Sequence, residues 1–80
     1  MNESKLKDRF GKRVQSLRHI RGLTQEHLAE RTGLSVEYIS KVERGLASPS
    51  FRTIAGLSNV LDVPVLELFD FSKLDESQKS

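Results

Sequence analysis

Eighty residues are expected to form one small domain, without a second sensing or catalytic one. The chain is 36% hydrophobic and 30% charged and has no cysteine, which excludes a disulfide framework and a thiolate metal site. The longest apolar stretch, near residues 63–69, is too short to span a bilayer, and the charged N-terminus lacks a signal-peptide run, so a cytoplasmic location is expected.

The pattern divides the chain into a flexible N-terminus over residues 1–5, a domain over 6–71 and a polar C-terminal tail over 72–80. A first helix is predicted from about residue 5 to 21. Leu6, Phe10, Val14, Leu17 and Ile20 fall on one face at helical spacing. Gly11 weakens this helix by about 1 kcal/mol relative to alanine, and Gly22 is placed to stop it. Thr24 is the N-cap of a second helix that ends near Thr32. His27 stands where a capping box would take Glu or Gln. Gly33 occupies the turn, where a positive φ suits glycine. Ser35 caps a third helix, which ends near Arg44 with Gly45 as its stop. Residues 46–50 form a loop around Pro49. A fourth helix starts near Phe51 and carries Ile54, Leu57 and Leu61 on one stripe. Pro64 opens a short fifth helix to about Phe69, with Val65, Leu68 and Phe69 at core spacing. No strand pattern or internal repeat appears. The expected architecture is all-α: a compact five-helix domain.

Residues 23–45 carry the most specific signal. Two short helices joined by a tight turn have the helix-turn-helix spacing used to grip DNA. Ala29 is small where the two helices cross, and Leu28, Leu34, Ile39 and Val42 tie the pair to a core. That leaves Val36, Glu37, Ser40 and Lys41 facing outward, with Tyr38 at the edge. Lys41 can donate to guanine O6/N7, Glu37 can accept from cytosine N4, and Val36 can touch a thymine methyl. Glu37 and Lys41, at i and i+4, can equally pair with each other on an exposed helix. Thr24, Gln25, Ser35, Tyr38, Arg44, Ser48 and Arg52 flank the third helix as candidate phosphate contacts, whose role would be to set register. Lys12, Arg13 and Arg21 read as ordinary surface charge. The charge distribution is asymmetric. Residues 1–52 hold 11 Lys/Arg against 6 Asp/Glu, and residues 53–80 hold 2 against 5. This fits an anion-binding face, or a solvated mixed-charge surface.

The runs Leu23-Thr24-Gln25-Glu26, Leu28-Ala29, Thr32-Gly33-Leu34-Ser35, Tyr38-Ile39-Ser40, Glu43-Arg44-Gly45, Pro49 and Leu61-Asp62-Val63-Pro64 carry a resemblance over residues 8–70. The chain resembles the lambda-type phage repressor and Cro group, the XRE family. The resemblance implies a five-helix lambda-repressor-like domain that acts as a homodimeric regulator on double-stranded DNA. In size it is similar to the stand-alone controller proteins of restriction–modification systems. By resemblance, Gln25 is a phosphate contact, and Arg18 and Glu43 form a structural ion pair between helix 1 and the end of helix 3. Val36 departs from the family, which often has Gln there, so base preferences do not transfer. Leu66 stands where the family commonly has a polar residue. With Phe69 and Phe71 it suggests a dimer interface, or a hydrophobic cap folded back on the core.

No enzyme constellation is present. His19 and His27 lack a partner pattern, so no metal, cofactor or small-molecule ligand is expected. The leading reading is a sequence-specific DNA-binding regulator on an inverted-repeat operator, with residues 35–44 in the major groove. The alternative is an antitoxin-like interaction module that binds a partner protein and contacts DNA secondarily.

Overall fold

The computed structural model describes residues 1–74. Five helices follow in order: α1 (Glu3–Ile20), α2 (Gln25–Thr32), α3 (Val36–Glu43), α4 (Phe51–Leu61) and α5 (Val65–Leu68). No strand occurs among the described residues, in agreement with the expected all-α class. The first helix opens at Glu3 rather than after a flexible 1–5 segment. Asn2 is its N-cap and accepts from the Lys5 N–H at 2.8 Å, which satisfies a donor that would otherwise be left open in the first turn. At the other end, residues 72–74 are helical, and Lys73 donates to Glu67 at 3.0 Å. The rest of the expected polar tail, residues 75–80, lies outside the described residues.

The core is built from Phe10, Val14 and Leu17 of α1, Leu28 and Ala29 of α2, Ile39 and Val42 of α3, Leu57 and Leu61 of α4, and Leu68 of α5. The stripe predicted for helix 1 is right at its centre and too long at its ends, where Leu6 and Ile20 are exposed. Val65 is also exposed, contrary to its core spacing. A four-residue helix buries one side chain fully, and Leu68 takes that place.

α3 packs against both α1 and α2, α2 also packs against α4, and α5 closes over α1 and α4. The contact of α1 with α3 explains Gly11. A Cβ there would collide with the backbone carbonyl of Val42 and lie 2.6 Å from that of Glu43. The glycine that weakens helix 1 as an isolated helix therefore lets the end of α3 approach it closely.

Two charges read as surface residues are structural. Arg13 is 3% exposed; its Nε donates to the Glu67 carbonyl and its Nη2 to Glu67 Oε2, both at 2.8 Å, which ties α1 to α5. Arg21 donates to the carbonyls of Leu61 and Asp62 at 2.8 and 3.1 Å, at the C-terminal end of α4, where open carbonyls favour a cation. Lys12 is a surface charge, paired with Asp8 at 3.2 Å.

Candidate nucleic-acid interface

The α2–turn–α3 unit is set by short-range chemistry at each end. Thr24 Oγ1 accepts from the His27 N–H at 3.0 Å, and the Thr24 N–H donates to His27 Nδ1 at 3.2 Å. This is a complete capping box with histidine in the place of Glu or Gln. The box engages the N–H groups of Thr24 and His27, leaving those of Gln25 and Glu26 at the tip of α2 without an intrahelical acceptor. Gly33 turns the chain at φ 75°, and the Leu34 N–H closes the helix onto the Ala29 carbonyl at 3.0 Å. Ser35 then caps α3, accepting from the Tyr38 N–H at 3.1 Å.

On α3, Ile39 and Val42 are fully buried, and Val36, Glu37 and Lys41 are exposed with Ser40 half-buried beside them. The expected outward row is therefore contiguous. Lys41 Nζ lies 3.4 Å from Glu37 Oε1, so the i, i+4 ion pair forms in the free protein. Both groups are largely exposed, and such a pair is worth only a few tenths of a kcal/mol. Either side chain can leave the other for a better partner at little cost.

The flanking candidates divide. Thr24, Ser35, Arg44, Ser48 and Arg52 are exposed. Arg44 Nε reaches the Ser40 carbonyl at 3.3 Å, and Arg52 makes no ion pair with any described residue. Arg52 stands in the first turn of α4, beside a hollow that it shares with Gly33, Leu34, Tyr38, Ser50 and Thr53. Tyr38 stands at the edge of the row: it is half-buried and its hydroxyl lies 3.2 Å from Thr53 Oγ1, so it also ties α3 to α4. Gln25 is also held inward, with Nε2 donating to Glu43 Oε1 at 3.0 Å.

Arg18 and Glu43 pair as expected, and both are buried. Arg18 Nε donates to Oε2 at 2.7 Å and Nη2 to Oε1 at 3.0 Å; Nη1 adds a bond to the Leu23 carbonyl at 2.9 Å. One guanidinium thus holds the end of α3 and the residue before the cap of α2.

The C-terminal apolar trio is not one open patch. Leu66 is 80% exposed, but Phe69 and Phe71 are half-buried. The Phe69 ring centroid lies 5.0 Å from that of Phe10 and 6.3 Å from that of Phe71, so both aromatics turn toward the core. Sequence reasoning missed the most exposed aromatic, Phe51 at 90%. It opens α4, and a first-turn residue can point away from the core that the rest of its helix meets. Phe69 lines both the hollow bordered by Phe51 and the hollow bordered by Leu66, so these two exposed side chains flank it.

A capped helix, a left-handed glycine turn and a second capped helix with an exposed polar row define a helix-turn-helix protein. The chain belongs to the helix-turn-helix family: the HTH_3 family model matches residues 14–68. The uncharacterized HTH-type transcriptional regulator YazB of Bacillus subtilis is 36% identical over 59 residues, covering 74% of this chain and 86% of that protein. The immunity repressor protein of Bacillus phage phi105 is 36% identical over 55 residues, 69% of this chain but 38% of the repressor. Among solved structures, the restriction-modification controller protein C.AhdI of Aeromonas hydrophila superposes with a TM-score of 0.76 at 42% identity, covering 78% of this chain and 94% of that one. The expected resemblance to phage repressors and controller proteins therefore holds.

Proposed function

We propose that the protein is a sequence-specific, DNA-binding transcription regulator that works as a homodimer on an inverted-repeat operator. The observation that carries this reading is the outward row on α3, exposed at Val36, Glu37 and Lys41 and half-buried at Ser40, flanked by groups suited to phosphate. On one flank are the Thr24 cap, the open N–H groups of Gln25 and Glu26, and the Gln25 amide. On the other are Arg44, Ser48 and Arg52, with Ser35 at the start of the row. α3 enters the major groove, where base edges are distinguishable, and the flanks grip the two strands. The named regulators among the relatives support the same reading.

The dimer surface includes Leu66 of the expected trio and extends to Phe51 across the half-buried Phe69. Both exposed side chains are large and apolar, and solvation of such groups is unfavourable. Two-fold pairing places one recognition helix in each half-site.

The test is selection of duplexes from a random library at about physiological salt, with sedimentation of the free protein alongside. Enrichment of an inverted repeat with half-site centres about one helical turn apart, and a concentration-dependent dimer, are the expected outcomes. Binding with no enriched sequence that collapses as salt rises would leave only backbone electrostatics and turn attention to a protein partner. A monomer at high micromolar concentration would refute the dimer.

A further inference from the structure

We infer that Glu43 is a positioning residue for DNA binding: through its bond to the Gln25 amide it sets which face of that amide meets a phosphate. The inference rests on the proposed DNA-binding reading and assigns a role inside it that the sequence did not suggest. There, the Arg18–Glu43 pair is structural and bears on DNA binding only secondarily.

The geometry is specific. Glu43 is the last residue of α3, and Gln25 is the first of α2. Glu43 Oε1 accepts from both Arg18 Nη2 and Gln25 Nε2 at 3.0 Å, while Oε2 takes the 2.7 Å bond from Arg18 Nε. A carboxylate only accepts, so the Gln25 amide must turn its NH2 toward Glu43. One N–H is then used and the other is left to donate. A flip of the amide would present its carbonyl oxygen instead, which repels a phosphate. Glu43 forbids that flip, and Arg18 holds the Glu43 carboxylate in place. Arg18 also holds the Leu23 carbonyl, so the start of α2 is bracketed on both sides of its cap. With the open N–H groups of Gln25 and Glu26, the second Gln25 N–H completes a donor set for one phosphate.

The test is a double-mutant cycle on operator affinity, with thermal melting of every variant. Gln25→Ala is expected to weaken binding about tenfold, the value of one hydrogen bond to a charged group, without lowering the melting temperature. Glu43→Asp keeps the charge for Arg18 but is one methylene too short for Gln25. It is expected to bind as weakly as Gln25→Ala while still melting cooperatively, and adding Gln25→Ala to it should cost less than twofold more. The double replacement Arg18→Met with Glu43→Leu removes the ion pair in favour of apolar packing, which is often neutral for stability, and should give the same weak binding. The Gln25 side-chain amide protons give a direct signature: distinct from free glutamine in the wild type, and averaged in Glu43→Asp. A purely structural pair would leave affinity intact in any variant that melts normally. Gln25→Ala costing the same in both backgrounds would overturn the inference while leaving the DNA-binding reading standing. A wild-type protein that binds no duplex would overturn both.

Discussion

Two regions of this molecule are fastened to α1 by the same kind of bond, an arginine gripping a carboxylate, and they differ in almost everything else. On the side of the helix-turn-helix, Arg18 meets Glu43 with side-chain exposures of 8% and 2%. Both Glu43 oxygens accept, Oε1 from Arg18 and Gln25 and Oε2 from Arg18. On the C-terminal side, Arg13 is as deeply buried, but its partner Glu67 is 34% exposed and shared with Lys73. The first pair is dry on both sides and the second is dry on one. Removing a partner from the dry pair leaves a charge with no solvent to turn to, whereas Glu67 keeps water and Lys73. The region that meets DNA in the proposed function is thus held by the bond with the least tolerance for change.

The sharpest way to break this contrast is Arg18→Ala. It should cost about 3–5 kcal/mol of folding stability by stranding Glu43, read from urea unfolding, and an unchanged melting temperature would contradict the buried geometry. Gly11→Ala tests the same region through its backbone. A Cβ pressed on the carbonyls of Val42 and Glu43 should force α1 off α3 at a cost of about 3 kcal/mol, the upper end for overpacking. Arg13→Ala should cost less, about 1–2 kcal/mol, because the hydrogen bonds to Glu67 are lost without a fully buried carboxylate being left behind.

The smallest effect separates the regions by pH. The Lys73 ammonium, first by its hydrogen bond and then by its charge, holds the Glu67 carboxyl below its ordinary value of 4.5; partial burial opposes this, and Arg13 adds to the lowering. A carboxyl whose value is lower in the folded state contributes stability above the unfolded value. That contribution is lost as the pH falls below about 4.5 and through the lowered folded value. Glu67→Gln should therefore flatten the acid limb of stability below about pH 4.5 and leave the neutral plateau little changed in slope. An identical acid limb in the two proteins would show that the lowering has no consequence for folding.

The local part of this structure was legible in the residues. Thr24, Ser35 and Gly33 act within three or four positions of themselves, so their spacing alone announces a cap or a turn. The recognition row on α3 follows from the same periodicity, since burying Ile39 and Val42 leaves Val36, Glu37 and Lys41 outside. Arg18 with Glu43 was legible only by resemblance, being 25 positions apart. His27 stands at the capping-box position in the sequence, but only the ring orientation shows that it accepts from Thr24. Arg13 gave no signal, because its partner lies 54 residues away and nothing near it distinguishes a buried arginine from a solvated one. The exposure of Phe51 gave no signal for a similar reason, since an apolar side chain at a helix end has no period to fix its direction.

The sequence by itself determined five helices, the caps and stops of α2 and α3, and the helix-turn-helix with its outward row, because these depend on hydrogen bonds and side-chain spacing within a single turn or two. Only the tertiary structure decided which arginines are buried, why residue 11 must be glycine, which aromatics are free, and that Gln25 is turned by Glu43. Those are set by what two distant segments do to each other when α1 meets α3 and α5, and no local pattern encodes the distance between them.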